Sequence, residues 1–290
     1  MFAHLHVHSP FSFLDGASSL EELLEQAAAI NCHALAITDH NNMGSAVRFA
    51  KLATNYGIIP IHGCEITLTN GHHLTLLCQN RIGYANLCRL LTHSHLNSPR
   101  GLPAFPRAQL AEYSEGLIAL SGCRRGEIPS LILHGLKEEA LASARYYAAT
   151  FPGCFYIELQ NNLLPRTTLL NNTLADLAEH LHLPLVATAN AHYATPNKFP
   201  IHDVLTCVRT LTTLASIHPC RRLNAENYLF SRQAMQSRFR AWPSAWQGMQ
   251  EIAERCSTAL PLGENLFPTF TTLDGSNAPT FLYQLVYEGA

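Results

Sequence analysis

Charge is what this chain is short of. Of its 290 residues only 14% are Asp, Glu, Lys or Arg, and the net charge is -2, against the roughly 25% charged share of ordinary soluble domains. Two readings of that shortage stay open: a surface normally covered by another domain, or a compositional bias toward Ala, Leu and Thr. There is no Lys/Arg block, so the chain carries no electrostatic footprint for tight DNA binding on its own. Nine cysteines, at 32, 64, 78, 88, 123, 154, 207, 220 and 256, include no C-x-x-C pair. No zinc ribbon is therefore visible, and the odd count argues against a disulfide framework. The N-terminus lacks a positive n-region and an apolar h-region, so no secretory signal is expected. No apolar run nears the roughly 18 residues of a bilayer span. Together these absences predict a soluble cytoplasmic chain with no membrane partner.

What the chain does have is a metal-ligand type of residue where each apolar run stops. Phe2-Ala-His-Leu-His-Val-His8 ends in alternating histidines, Leu35-Ala-Ile-Thr38 runs into Asp39-His40, and Ile58-Ile-Pro-Ile61 into His62-Gly-Cys-Glu65. Leu117-Ile-Ala-Leu-Ser121 is followed by Gly122-Cys123, and Leu185-Val-Ala-Thr188 by Ala189-Asn-Ala-His192. In a barrel of parallel strands the carboxyl ends share one face, and that face carries the site. Ligands from five strands would converge there, which is the pattern of a multinuclear metal site.

Helical spacing fills the gaps between these runs. Ser18-Ser-Leu-Glu21 reads as a capping box opening a helix to about Ile30. Further helices are expected at 43–56, 84–95, 107–113, 127–134, 137–150 and 165–182, and strands at 34–38, 58–67, 74–78, 117–121, 155–159 and 185–189. Such alternation predicts parallel βαβ units. Beyond about residue 195 the pattern turns helical, at 197–210, 231–240 and 244–258, with Tyr228-Leu-Phe230 a short extended piece. The expected organisation is a barrel over 1–195, a helical extension packed on it over 196–260, and over 261–290 a linker (261–268) followed by a helix without a visible stop (280–290).

Period-two alternation puts His4, His6 and His8 on one face of the first strand, and neighbours at i and i+2 can grip one divalent ion. His6 and His8 are the candidate ligands, with His4 deeper as an outer partner. Arg124 and Arg125 follow Cys123 on the same face; they pair with phosphate oxygens or are solvated loop arginines. Asp39 either orients His40 or forms a turn. Glu158 points to the site face by position, although an ion pair is the simpler role. The remaining histidines, among them His62 and His202, read mostly as surface or loop residues.

In order along the chain stand His-Leu-His-Val-His-Ser (4–9), Leu-Asp-Gly (14–16), Ile-Thr-Asp-His (37–40), Gly-Cys-Glu (63–65), His-Leu-Thr-Leu-Leu (73–77), Leu-Ser-Gly-Cys (120–123) and Asn-Ala-His-Tyr (190–193). Together they resemble the PHP (polymerase and histidinol phosphatase) domain of bacterial C-family DNA polymerases. The Leu-Pro-Leu-Gly-Glu and Phe-Pro-Thr-Phe tail resembles the link into the polymerase palm. The resemblance implies an α/β fold, a distorted (β/α)7 barrel with two to three divalent metals. One would use His6, His8, Glu65 and position 190; a second Glu65, His73 and Cys123; a third Asp15, His40 and His192. Asp15, His40, Glu65 and His192 would form the reacting core. Imidazole and carboxylate suit Zn²⁺, Mn²⁺ or Fe²⁺, and the thiolate favours zinc or iron. His73 is the one position that strand reasoning alone does not select, because it opens its strand instead of ending it. Where the family pattern has an aspartate, this chain has Asn190, whose amide brings no charge.

The implied activity is phosphodiester hydrolysis at a DNA 3′ end, a 3′→5′ exonuclease that proofreads for polymerase domains of the same longer chain. The alternative is a degraded domain with a structural role and a docking role toward other replisome subunits; a free-standing small-molecule phosphatase comes third. Most ligand positions favour the first, while Asn190 and the absent basic patch favour the second.

Overall fold

Seven short apolar runs become the staves of one sheet. They are β1 (Ala3–His4), β2 (Ala34–Ile37), β3 (Ile59–Thr67), β4 (His73–Cys78), β5 (Leu117–Leu120), β6 (Phe155–Gln160) and β7 (Leu185–Thr188), hydrogen-bonded in chain order. Nearly every residue of β2 and β4–β7 is buried, as expected of strands covered on both faces. The computed structural model describes residues 1–256, 260, 262–265, 267–268 and 270–290. Residues 257–258 of the expected helix at 244–258, and 261 and 266 of the expected linker, lie outside the described residues.

Between the strands lie α1 (Leu20–Ala29), α2 (Ala46–Asn55), α3 (Arg81–Leu96), α4 (Glu127–Leu133), α5 (Lys137–Thr150) and α6 (Thr167–His180). The stretch Arg107–Tyr113 is a 3₁₀ helix. After β7 come α7 (Phe199–Thr210), α8 (Arg232–Arg238), α9 (Pro243–Arg255) and α10 (Ala278–Gly289). Local chemistry sets the helix starts. The capping box of α1 falls one residue later than expected: Ser19 accepts from Glu22 N–H at 3.2 Å while the Glu22 carboxylate accepts from Ser19 N–H at 3.0 Å. Ser18 is diverted to accept the Ala194 N–H. Asn80 caps α3 in the same manner, accepting from Gly83 N–H.

The barrel is not all-parallel. β4 runs antiparallel to both β3 and β5, whereas the other pairs are parallel. The reason is the link: residues 68–72 suffice for a hairpin, and a parallel return needs a crossover of about a dozen residues or more. The first strand is regular only at Ala3–His4, yet its continuation closes the seam with the last strand. Val7 bridges Ala191 in parallel, with His8 N–H donating to Ala191 O at 2.8 Å and Ala191 N–H to His6 O at 3.0 Å.

Residues 1–260 form one compact unit and 261–290 a second. Within the first, α9 seals the end of the barrel away from those histidines. Ala3 N–H meets Met249 Sδ at 3.1 Å, and Phe2 stacks on Trp246 at 5.7 Å between centroids. Gly248 is required here, since a Cβ on it would lie 1.9 Å from Leu185 O. In the second unit Asn277 caps α10 by accepting from Thr280 N–H. Among the described residues no helix is long and apolar enough to cross a membrane. Gly248→Ala must push α9 off β7 and is expected to cost about 1–3 kcal/mol. Urea unfolding should show it as a lower midpoint at unchanged slope.

Candidate metal centre

The rim opposite α9 collects the polar residues that the strands deliver. His6 and His8 extend from β1, His40 follows β2, Glu65 lies in β3, Glu158 in β6, and Asn190 and His192 follow β7. His73 opens β4, and because β4 is reversed its first residue lies on the same rim as the other strands' last ones. The Thr67–His73 register places it beside the end of β3. His73 is buried and His72 half-exposed, so the histidine facing the site is His73. Asp15 arrives from the coil 9–17, wound by Asp15 N–H and Gly16 N–H donating to Ser12 O. A Cβ on Gly16 would meet Ser9 O at 1.9 Å, which leaves glycine as the residue for that turn.

Two carboxylates organise the site. Glu65, 1% exposed, has Oε2 at 2.6 Å from His6 Nε2 and 3.5 Å from His8 Nε2, and Oε1 at 3.6 Å from His40 Nδ1 and in contact with His73 Nδ1. Asp15, also buried, has Oδ2 at 3.0 Å from His40 Nε2 and 2.9 Å from His192 Nδ1, and Oδ1 at 3.5 Å from His202 Nε2 and 2.7 Å from Arg209 Nη1. Four sets bring their ligand atoms within 4.8 Å of one another: His6–His8–Glu65, His40–Glu65–His73, His8–Asp15–His40 and Asp15–His192–His202. Cys123 sits beside the second set, its Sγ 4.0 Å from His73 Nδ1. Asn190, in the left-handed region at φ 45° that Asn tolerates better than most residues, turns its Oδ1 to His192 Nε2 at 3.1 Å and its Nδ2 to Gln160 Oε1 at 3.4 Å.

Burial, then the neighbouring His40 and His6, hold His8 well below the ordinary imidazole range. Burial and Arg125 do the same to His73, and burial and Arg222 to His192. Neutral imidazoles keep a lone pair for a metal ion. Burial alone would raise Asp15, but His192, His202 and His40 keep it well below the usual carboxylate range.

Outer groups aim these ligands. Glu158 Oε1 lies 2.7 Å from His6 Nδ1 and accepts from Gln160 Nε2 and Thr188 Oγ1. It is thus the carboxylate that fixes the His6 ring, a stronger role than a generic ion pair. Asp39 does not touch His40. It accepts from Ser9 N–H, Ser9 Oγ, Ser12 Oγ and Ser45 Oγ at 2.6–3.0 Å. Ser12 Oγ in turn lies 3.0 Å from His8 Nδ1. With the hydroxyl proton given to Asp39, Ser12 accepts from His8 Nδ1–H, which leaves His8 Nε2 free toward Glu65. Arg124 is tied to Pro165 O at 3.1 Å, and Arg125 is exposed on the rim. His4 turns away to Phe230 O at 3.0 Å, so it supports the fold and not the ligands.

Two histidines expected at the surface are buried, His62 and His202. His202 matters more, since it joins Asp15 from α7. Its signal was faint: His202 and Thr206, one turn apart, are the inward face of a helix whose burial only tertiary packing decides. Arg209 and Arg222 also escaped sequence reasoning, because their partners are distant in the chain.

No metal contact is part of the structure, so the fit rests on its donors. His8 Nε2 and Glu65 Oε1 are buried without a hydrogen-bond partner, and unpaired buried polar atoms are costly. Imidazole, carboxylate and a nearby thiol are the donors that Zn²⁺, Mn²⁺ or Fe²⁺ take. The residues fit. Above them opens a cavity of about 430 Å³, reaching from Asp15, Glu65 and His73 to Arg125, Leu174 and Leu223.

A seven-stranded α/β barrel with one reversed strand and a histidine–carboxylate rim is the architecture so defined. The chain belongs to the PHP domain family, whose description it matches over residues 4–162. It is 52% identical over 305 residues to an error-prone DNA polymerase of Symbiobacterium thermophilum, covering 100% of this chain and 28% of that protein. It is 34% identical to the DNA polymerase III subunit alpha of Treponema pallidum and 35% to that of Thermus aquaticus, covering 99% of this chain and 26% of each. The chain therefore spans about a quarter of the length of these relatives. A solved amidohydrolase structure from Chromobacterium violaceum aligns with 67% of this chain and 88% of its own at TM-score 0.48 and 16% identity.

Removing the Glu158 charge tests the outer shell. Glu158→Gln is expected to weaken metal binding about 10–100-fold, read by competition with a chromogenic chelator.

Proposed function

We propose that this chain is the metal-dependent phosphoesterase domain of a bacterial C-family DNA polymerase, hydrolysing phosphodiesters at a DNA 3′ end as a proofreading 3′→5′ exonuclease. The observation that carries the reading is the shared carboxylate: Glu65 Oε2 faces His6 and His8 while Oε1 faces His40 and His73. One bridging carboxylate between two imidazole sets is what a pair of adjacent divalent ions requires. His6, His8 and Glu65 would hold one ion and Glu65, His73 and Cys123 a second, with Asp15, His40 and His192 beside them as the remaining group of ligand-type residues. Such ions supply a lowered pKa for a bound water and charge stabilisation at the leaving oxygen.

The chain's own residues do the rest. Glu158 and Ser12 fix the His6 and His8 rings, so the ligand nitrogens need no reorganisation. Arg124, Arg125, Arg209, Arg221 and Arg222 line the cavity above. Arg209 is paired with Asp15 and Arg221 with Asp203, which leaves Arg124, Arg125 and Arg222 as the positive charge facing the cavity, in a chain whose net charge is -2. Arg124 and Arg125 would hold the phosphate oxygens. Leu164, Leu170, Leu174 and Leu223 on the cavity wall offer an apolar surface to the terminal nucleoside. The partners under this reading are the DNA 3′ end, the polymerase domains of the longer chain and other replisome subunits, in the cytoplasm.

Asn190 favours a second reading, a catalytically degraded domain kept for structure and docking. The two separate on activity. His8→Ala and His40→Ala are each expected to reduce Mn²⁺-dependent release of nucleotides from single-stranded DNA 3′ ends to background with an unchanged circular dichroism spectrum. Release that survives both substitutions contradicts the site. Asn190→Asp is expected to raise activity or metal affinity; no change in either would mean that this position does not limit the site.

A further inference from the structure

The two carboxylates are not balanced in the same way. Around Glu65 stand imidazoles only in the contacts described above, and no guanidinium is among them; His8 Nε2 and Glu65 Oε1 have no hydrogen-bond partner, and on the Asp15 side His192 Nδ1 has none either. Around Asp15 the chain supplies cations of its own. Arg209, in the last turn of α7, places Nη1 2.7 Å from Asp15 Oδ1. Arg222 has Nη2 2.5 Å from His192 Nε2 and Nε 3.3 Å from His202 Nε2.

The consequence follows from donor counting. A guanidinium only donates, so the imidazole nitrogens facing Arg222 must accept with their lone pairs. The Asn190 oxygen is a more distant partner for the same His192 nitrogen, at 3.1 Å. With Nε2 of His192 accepting, its proton sits on Nδ1, the nitrogen facing Asp15 at 2.9 Å. Neither nitrogen of His192 is then open to a metal ion. The His202 nitrogen nearest Asp15 is the one that Arg222 engages, and Arg209 occupies one oxygen of Asp15 itself.

We infer that Arg209 and Arg222 are built-in counter-cations of the Asp15 half, which stays free of divalent metal under conditions that leave the Glu65 half loaded. The inference rests on reading the Glu65 half as a metal centre.

The test is metal retention. The full 290-residue chain and its variants are loaded with Mn²⁺ or Zn²⁺, dialysed against a weak chelator and analysed by elemental mass spectrometry, with circular dichroism as the folding control. Asp15→Asn is expected to keep the same number of equivalents as the unsubstituted chain, while Glu65→Gln loses most of them. The double variant Arg209→Met/Arg222→Met is expected to gain about one equivalent. Loss of an equivalent in Asp15→Asn, or no gain in a folded double variant, overturns the inference while leaving the Glu65 centre standing. Should the double variant not fold, the Asp15→Asn result decides alone. No retained metal in any protein overturns the metal-centre reading and this inference with it.

Discussion

Everything on the rim of this barrel answers to one constraint: a carboxylate, Glu65, held 1% exposed among imidazoles. Taking such a charge out of water costs several kcal/mol unless a cation or strong hydrogen bonds offset it. Its imidazole neighbours do that poorly where burial keeps them neutral, as it does His8 and His73. A divalent ion held by Glu65 and those nitrogens would remove the penalty and use the same lone pairs. The outer shell follows the same logic, since Glu158 and the Asp39–Ser12 relay fix which imidazole nitrogen points inward.

The reversed β4 makes that gathering possible. A short link after β3 allows only a hairpin, and the hairpin turns the first residue of β4 back to the rim. His73 thereby meets Glu65 from the neighbouring strand. An all-parallel barrel would have sent it to the opposite end, under α9. Seam closure serves the same end. The Val7–Ala191 bridge pulls the histidines of the first strand against the residues after the last one, and His8 and His192 stack at 4.3 Å.

Much of this was legible in residue order. Alternating histidines after an apolar run, and Asp39-His40 and Glu65 at run ends, locate the rim because strand ends are set by local hydrophobic pattern. What escaped depends on distance in the chain. His202 looks like any helical histidine until α7 packs, and Arg222 meets His192 only because the chain after α7 folds back over the rim. The strand reversal was hidden in the shortness of a loop, and the capping box was displaced by one residue because Ser18 found the Ala194 N–H instead. The low charge content misled in one respect: charged residues are scarce overall, yet five arginines and three carboxylates line the cavity.

The central claim is that Glu65 bridges divalent ions on this rim. The most direct measurement is anomalous diffraction at the manganese, iron and zinc edges from crystals of the chain grown without chelator. The account predicts one peak within ligand distance of His6, His8 and Glu65, and a second among Glu65, His73 and Cys123. Peaks only elsewhere, or none after soaking in Mn²⁺ and Zn²⁺, would contradict it.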